Sequence, residues 1–152
     1  MRRNRPGSSG GVRIPLLNKN QDPRVKNQED IMGRHNFKKM KIWQEGISLV
    51  QLTYKVVKTF PDYEKFNLVS QLIRCSVSIP SNIAEGTSKR TDRHFIQYLE
   101  NSLGSAFEWE TQIIIALNEK YITIEEFNSF EEKIQDIQKM ISGFIDNLEK
   151  KS

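Results

Sequence analysis

Residues 91–118 read TDRHFIQYLENSLGSAFEWETQIIIALN. Within them Phe95, Leu99, Ser102, Ala106, Trp109, Ile113 and Ala116 recur at alternating spacings of four and three. A helical turn of about 3.6 residues stacks such positions on one face, so the spacing predicts a helix with a coiled-coil-like seam. Ser102, Gly104, Ser105 and Ala106 are small, which lets a neighbouring helix approach closely. One amphipathic helix cannot bury its own stripe, so the flanking sequence must supply partners.

It does so on both sides. A second helix is predicted over about 63–86, with Leu68, Leu72, Cys75, Ile79 and Ile83 as its stripe. Pro80 lies inside it and removes one backbone donor, so a kink near Ser76–Pro80 is expected. Gly86 suits its C-terminal cap. Another helix is predicted over about 37–59, with Trp43, Ile47, Val50, Tyr54 and Val57 on one face, ending at Phe60-Pro61-Asp62. The last runs over about 124–150, with Phe127, Phe130, Ile134, Ile137, Ile141, Phe144 and Leu148 inward. Thr123 and Glu126 have capping-box spacing at its start. Short loops between long helices favour antiparallel neighbours. The expected fold is all-α, an antiparallel up-down-up-down four-helix bundle over residues 37–152, with residues 1–36 as a disordered basic tail or leader.

Composition agrees with one such domain. The chain has 152 residues, 37% hydrophobic and 28% charged, and its mean hydropathy is −0.59. No run approaches the roughly 18 apolar residues of a membrane span. Cys75 is the only cysteine, so no internal disulfide and no cysteine-rich zinc site can form. A reducing, cytoplasmic location fits. Residues 1–31 are rich in Gly, Pro, Asn and Arg and carry the whole net charge of +4. The remaining 121 residues hold 16 basic and 16 acidic side chains. Those charges are divided along the chain: residues 32–93 carry 11 basic and 5 acidic, residues 94–152 carry 5 and 11. Such asymmetry can set a basic surface against an acidic one.

Several chemistries lack their residues. A di-iron bundle needs Glu-x-x-His pairs, but Thr91 stands three before His94 and Met32 three before His35. G-x-S-x-G, G-x-x-x-x-G-K-[ST] and G-x-G-x-x-G do not occur. Helical ribonucleases with Arg, four to six residues, then His are not matched, because only three residues separate Arg90 from His94. Cys75, on an apolar helix face, reads as a small core residue. No enzyme activity, metal or cofactor is expected.

One stretch is unusual: Ser78-Ile79-Pro80-Ser81-Asn82-Ile83-Ala84-Glu85-Gly86. Asn82 and Glu85 lie one turn apart beside the apolar stripe, and Ser105, Glu108 and Gln112 share one side of the next helix. Polar groups near a core find partners or cost about 1–3 kcal/mol each. We therefore expect Asn82, Glu85, Ser105 and Glu108 to form a polar network that fixes helix register.

The longer run from Gln71 to Gly86 resembles the signature of the bacterial four helix bundle protein family, also called S23 or the 23S rRNA intervening-sequence protein. Trp43-Gln44, Phe60-Pro61 with Glu64, Arg90, Phe95 with Leu99, Gly104-Ser105, Glu108 and Glu110-Thr111-Gln112 extend the likeness over about 37–150. The resemblance implies a small helical bundle, often a ring-like homo-oligomer, with no catalytic residues to carry over. It also implies similarity to the accessory variability determinant of diversity-generating retroelements. That protein is a basic pentamer that binds nucleic acid and a reverse transcriptase, whereas the folded part of this chain is net neutral.

Candidate nucleic-acid contacts are Arg34, Lys38, Lys39 and Lys41 around the start of the first helix, and Lys89, Arg90 and Arg93 at the turn between the second and third. Antiparallel packing would bring both groups to one end. The expected function is a non-enzymatic oligomeric scaffold that binds RNA or a nucleoprotein partner. The alternative is a purely protein-interacting module, with Ile42, Leu49, Leu52, Phe107, Ile114 and Leu117 as candidate contacts.

Overall fold

The computed structural model describes residues 36–151, all within the unit Arg34–Ser152. Four α-helices carry the architecture: α1 (Lys41–Val56), α2 (Leu68–Thr87), α3 (Asp92–Asn118) and α4 (Ile124–Lys151). Single 3₁₀ turns at Phe37–Lys39, Val57–Thr59 and Asp62–Glu64 precede α1 and lead from it to α2. The described residues contain no strand.

Local chemistry accounts for the helix ends. Thr91 Oγ1 accepts the His94 N–H at 3.2 Å and starts α3. Thr123 Oγ1 accepts the Glu126 N–H at 3.1 Å while Glu126 Oε1 accepts the Thr123 N–H at 3.0 Å, a closed capping box for α4. The end of α3 is a Schellman turn. Tyr121 N–H reaches Ala116 O and Lys120 N–H reaches Leu117 O, both at 2.9 Å, with Lys120 in the left-handed region at φ 62°.

Contacts between helices fix the topology. Ser102 Oγ donates to Ile79 O at 2.9 Å, and Cys75 pairs with Gln112 farther down. Residue numbers thus rise along α2 as they fall along α3, so these helices are antiparallel. Phe95 meets Phe144 and Trp109 meets Phe130, which sets α4 antiparallel to α3. A Cβ on Gly46 would stand 3.4 Å from Ile79 Cγ2, level with Ser102, and Thr53 is bonded to Trp109. Helix α1 therefore runs parallel to α3, its diagonal neighbour, and the bundle is up-down-up-down.

The stripes of α2 and α3 are buried as their spacing predicts, from Leu68 to Ile83 and from Phe95 to Ala116. Helix α4 buries Phe130, Ile134, Ile137, Ile141 and Leu148, with Phe127 and Phe144 packed against that core. Helix α1 differs from its prediction. Its buried face is Ile42, Gly46, Leu49, Thr53 and Val56, one residue out of step with the apolar stripe expected. Val57 is buried, but Trp43, Ile47 and Val50 are half-buried and Tyr54 is exposed. The reason lies in Gly46 and Thr53, which look polar or neutral in sequence yet are what their neighbours require. Gly46 admits Pro80, whose Cβ would lie 3.2 Å from an added Cβ. Thr53 Oγ1 accepts the N–H of the fully buried Trp109 indole at 2.9 Å. Ile42 and Leu49 are accordingly core residues.

Gly86 also differs from its predicted role. It lies within α2, which stays helical across Pro80 to Thr87. Its small size serves the α2–α3 contact, since a Cβ there would stand 2.6 Å from Phe95 Cδ2 and 3.0 Å from Tyr98 Cβ. Gly104 has nothing within 4 Å of an added Cβ. Two glycines on adjacent helices thus make opposite predictions. Gly86→Ala should lower stability by about 1–3 kcal/mol through overpacking. Gly104→Ala should raise it by about 0.5–1 kcal/mol through helix propensity alone. Urea unfolding of both variants decides, and equal midpoints would contradict the packing described.

Candidate functional site

Polar side chains gather along the α2–α3 seam and at the two ends of the bundle. Asn82 Nδ2 donates to Ser78 O at 2.8 Å and to Ser78 Oγ at 2.9 Å, and Ser78 Oγ shares a hydrogen bond of 2.8 Å with Ser105 Oγ. Ser78 is thus the bridge between Asn82 and Ser105, a role its sequence position does not reveal. Below it, Gln112 Nε2 donates to Glu108 Oε1 and Gln71 Oε1, both at 3.3 Å. The Cys75 thiol donates to Gln112 Oε1 at 3.4 Å. Glu85 stands apart: it is exposed, and its carboxylate makes no hydrogen bond among the described residues.

Within the unusual nine-residue stretch, most positions are thereby occupied by packing. Ile79 and Ile83 fill the core, Pro80 meets Gly46, Gly86 meets Phe95, and Ser78 with Asn82 spans the seam. No buried side-chain nitrogen or oxygen among the described residues lacks a hydrogen-bond partner. Burial pushes the Cys75 thiol up to about 12, with the Glu108 carboxylate acting in the same direction. Such a thiol is a poor source of thiolate.

The second group is a basic end. The 3₁₀ turn Phe37–Lys39 holds Lys38 and Lys39, and Lys41 opens α1. That turn packs against α2. Because Gly46 meets Pro80, the start of α1 lies beside the end of α2, where Lys89, Arg90 and Arg93 surround the turn into α3. Arg34 lies outside the described residues. The topology adds two residues that sequence reasoning missed. The Phe95–Phe144 contact brings the last turn of α4 to this same end, and with it Lys150 and Lys151. The signal is present in the antiparallel arrangement, which puts the end of a fourth helix beside the start of the third. The acids here are Glu85, Asp92, Asp146 and Glu149. Among the described residues, eight basic side chains therefore face four acidic ones at this end, whereas Lys58, Lys65 and Lys120 at the opposite end face Asp62, Glu64, Glu119, Glu125 and Glu126.

Most of the basic side chains are exposed. Lys89 is half-buried, its ammonium 4.8 Å from the Tyr98 ring centre. Lys38 lies 5.9 Å from the Phe37 ring, which meets Trp43 edge-on at 5.4 Å. The first turn of α1 has no acidic residue and no side-chain cap, so the positive end of the helix dipole adds to the potential of the lysines around it. His94 is exposed in the first turn of α3.

The opposite end has its own polar cluster. Tyr121 Oη donates to Glu64 Oε1 at 3.1 Å and shares a hydrogen bond of 2.9 Å with Tyr63 Oη. These bonds, Tyr63 first, hold the Tyr121 phenol well above its ordinary range. Glu64 Oε2 also accepts the Leu68 N–H at 3.1 Å, so the cluster ties both loops to the start of α2. A groove of about 280 Å³ between α1 and α4 is lined by Glu45, Ser129, Glu132, Lys133 and Asp136. Lys133 already pairs there with Glu45 and Ser48. No group of three or more His, Cys, Asp or Glu among the described residues could hold a metal ion. No described helix is long and apolar enough to cross a membrane.

The sequence profile described as 23S rRNA-intervening sequence protein matches residues 38–143. No curated protein matches the chain. Among solved structures, similarity is found to a protein of unknown function from the S23 ribosomal protein family of Bacteroides thetaiotaomicron VPI-5482. It is 24% identical, the alignment covers 68% of this chain and 97% of that one, and the TM-score is 0.64. That likeness is one of fold.

The seam makes a prediction about Cys75. Its raised value means that the folded state favours the neutral thiol more than the unfolded state does. The associated stability is complete below pH 9 and is lost as pH rises from 9 towards about 12. At pH 8 a thiol reagent should modify Cys75 only on unfolding, whereas fast labelling of the folded protein would show an open seam.

Proposed function

The chain belongs to the 23S rRNA-intervening sequence protein family, and on that footing we propose that it is a non-catalytic, self-associating cytoplasmic scaffold whose basic end binds RNA. The observation that carries this reading is the convergence of Lys38, Lys39, Lys41, Lys89, Arg90 and Arg93 at one end of the bundle. They come from two segments some fifty residues apart, and Lys150 and Lys151 join them from a third. The folded part has no net charge, so this separation produces a local field rather than a general basic surface. Exposed lysines and arginines of this kind bind phosphates with salt-dependent affinity and little choice of sequence.

Self-association is supported by two apolar surfaces that the core leaves uncovered. Helix α1 presents Ile47, Val50 and Tyr54 on the face beside its core stripe, with Val77 of α2 also exposed. Helix α3 presents Phe107 and Ile114 on its outer face, 52% and 41% exposed. The two surfaces differ from each other and lie on different helices. Contact between unlike surfaces of identical subunits generates rings when the rotation closes, and a pentamer is the closed form proposed here. The same surfaces favour a second reading, a protein-interaction module without nucleic acid, a nucleoprotein partner such as a reverse transcriptase being one occupant.

Two measurements separate these readings. RNA binding across a salt series should show a clear negative slope for the whole chain. Each phosphate neutralised on a single strand contributes roughly 0.7 to that slope. Replacing Lys89, Arg90 and Arg93 together by alanine should therefore reduce it by about 2, with the mass by light scattering unchanged. An unchanged slope would remove this end as the RNA site, and a fallen mass would make it a subunit interface. In turn, Phe107→Asp should lower the mass while leaving the helical circular dichroism intact; an unaltered mass would exclude the α3 face from assembly.

A further inference from the structure

The basic end carries aromatic rings as well as charge. Phe37 and Tyr98 are each half-buried, so each ring keeps part of its surface at the exterior. Both are held. Phe37 meets Trp43 at 63° between ring planes, and the base of the Tyr98 side chain packs close to α2, 3.0 Å from where a Cβ on Gly86 would stand. Both also have a lysine ammonium over the ring: Lys38 at 5.9 Å and Lys89 at 4.8 Å. A ring face that a lysine can cover from solvent is one that a nucleobase can cover, with the ammonium shifting to the adjoining phosphate. Duplex RNA offers phosphates but keeps its bases stacked inside. Single strands offer both, and proteins that bind them pair basic grooves with aromatic platforms.

From this pairing we infer that the basic end takes single-stranded RNA in preference to duplex, stacking bases on Phe37 and Tyr98 while Lys38 and Lys89 contact the phosphates. The inference rests on the reading of this end as an RNA site and adds the form of RNA bound. The exposed Glu85 carboxylate beside the turn disfavours the dense phosphate rows of a duplex more than a flexible strand that can avoid it.

The test uses the full chain with a single-stranded oligoadenylate of about 12 nucleotides, a length within the usual site sizes, and an RNA duplex of equal length at the same salt. The single strand should bind more tightly. Phe37→Leu and Tyr98→Leu should each weaken single-strand binding about five-fold or more and leave duplex binding unchanged, while Tyr98→Phe, which keeps the ring, should bind as the parent does. Trp109 is fully buried, so a change in tryptophan emission on binding should come from Trp43 beside Phe37 and vanish in Trp43→Phe. Equal binding of duplex and single strand, with no effect of the leucine variants, would overturn this inference and leave the basic end as a phosphate site. Binding of neither would overturn both.

Discussion

The bundle depends on how closely α2 lets its neighbours approach at Ile79 and Pro80. On one side Gly46 of α1 lies against the proline ring, and on the other the Ser102 hydroxyl of α3 reaches the Ile79 carbonyl. A residue with a larger side chain at either place would hold a helix away. One end of this crossing is secured by Gly86 under Phe95 and Tyr98, and the other by the Trp109 indole, which reaches Thr53 across the core. An indole N–H left without a partner in that interior would cost about 1–3 kcal/mol. Small residues and hydroxyls, rather than larger hydrophobes, therefore set the register, and the aliphatic stripes fill the space they define.

Charge follows from that register. Once Gly46 meets Pro80, the start of α1 must lie beside the end of α2, and the short turn to α3 keeps Arg90 and Arg93 there. Phe95 against Phe144 then fixes the end of α4 in the same place. The basic end is thus a consequence of packing several turns away. Substitutions within the crossing should disturb this convergence of charge indirectly, through the relative height of the helices. The unusual nine-residue stretch gains its meaning in this way: Ser78, Ile79, Pro80, Asn82, Ile83 and Gly86 each serve a helix contact, and Ser81 and Glu85 face outward.

Much of the fold is legible in the amino-acid order. The stripes of α2 and α3 and the capping box of α4 lie where periodicity and cap chemistry place them. Helix α1 departs by one residue because its core face includes a glycine and a threonine, whereas the adjoining face holds Trp43, Ile47, Val50 and Tyr54. Hydrophobic periodicity detects burial of any kind, and this helix is apolar on more than one side. The glycine of α2 reads as a cap because glycine favours helix ends, but its reason is the ring of Phe95 in another helix. Lys120 ends α3 in a conformation usually given to glycine, with no sequence signal to announce it. At the basic end, the lysines and arginines are recognisable as charges. Their meeting with Lys150 and Lys151, and the rings of Phe37 and Tyr98 among them, require the antiparallel packing.

We propose that RNA is bound by the folded bundle at its basic end. Amide hydrogen exchange of the whole chain, with and without single-stranded RNA, tests it most directly and does not depend on the assembly state. Added protection should concentrate in residues 37–43 and 88–95 and in the last turn of α4. Protection confined to the loops around residues 57–67 and 119–123, or none within residues 36–151, would contradict it.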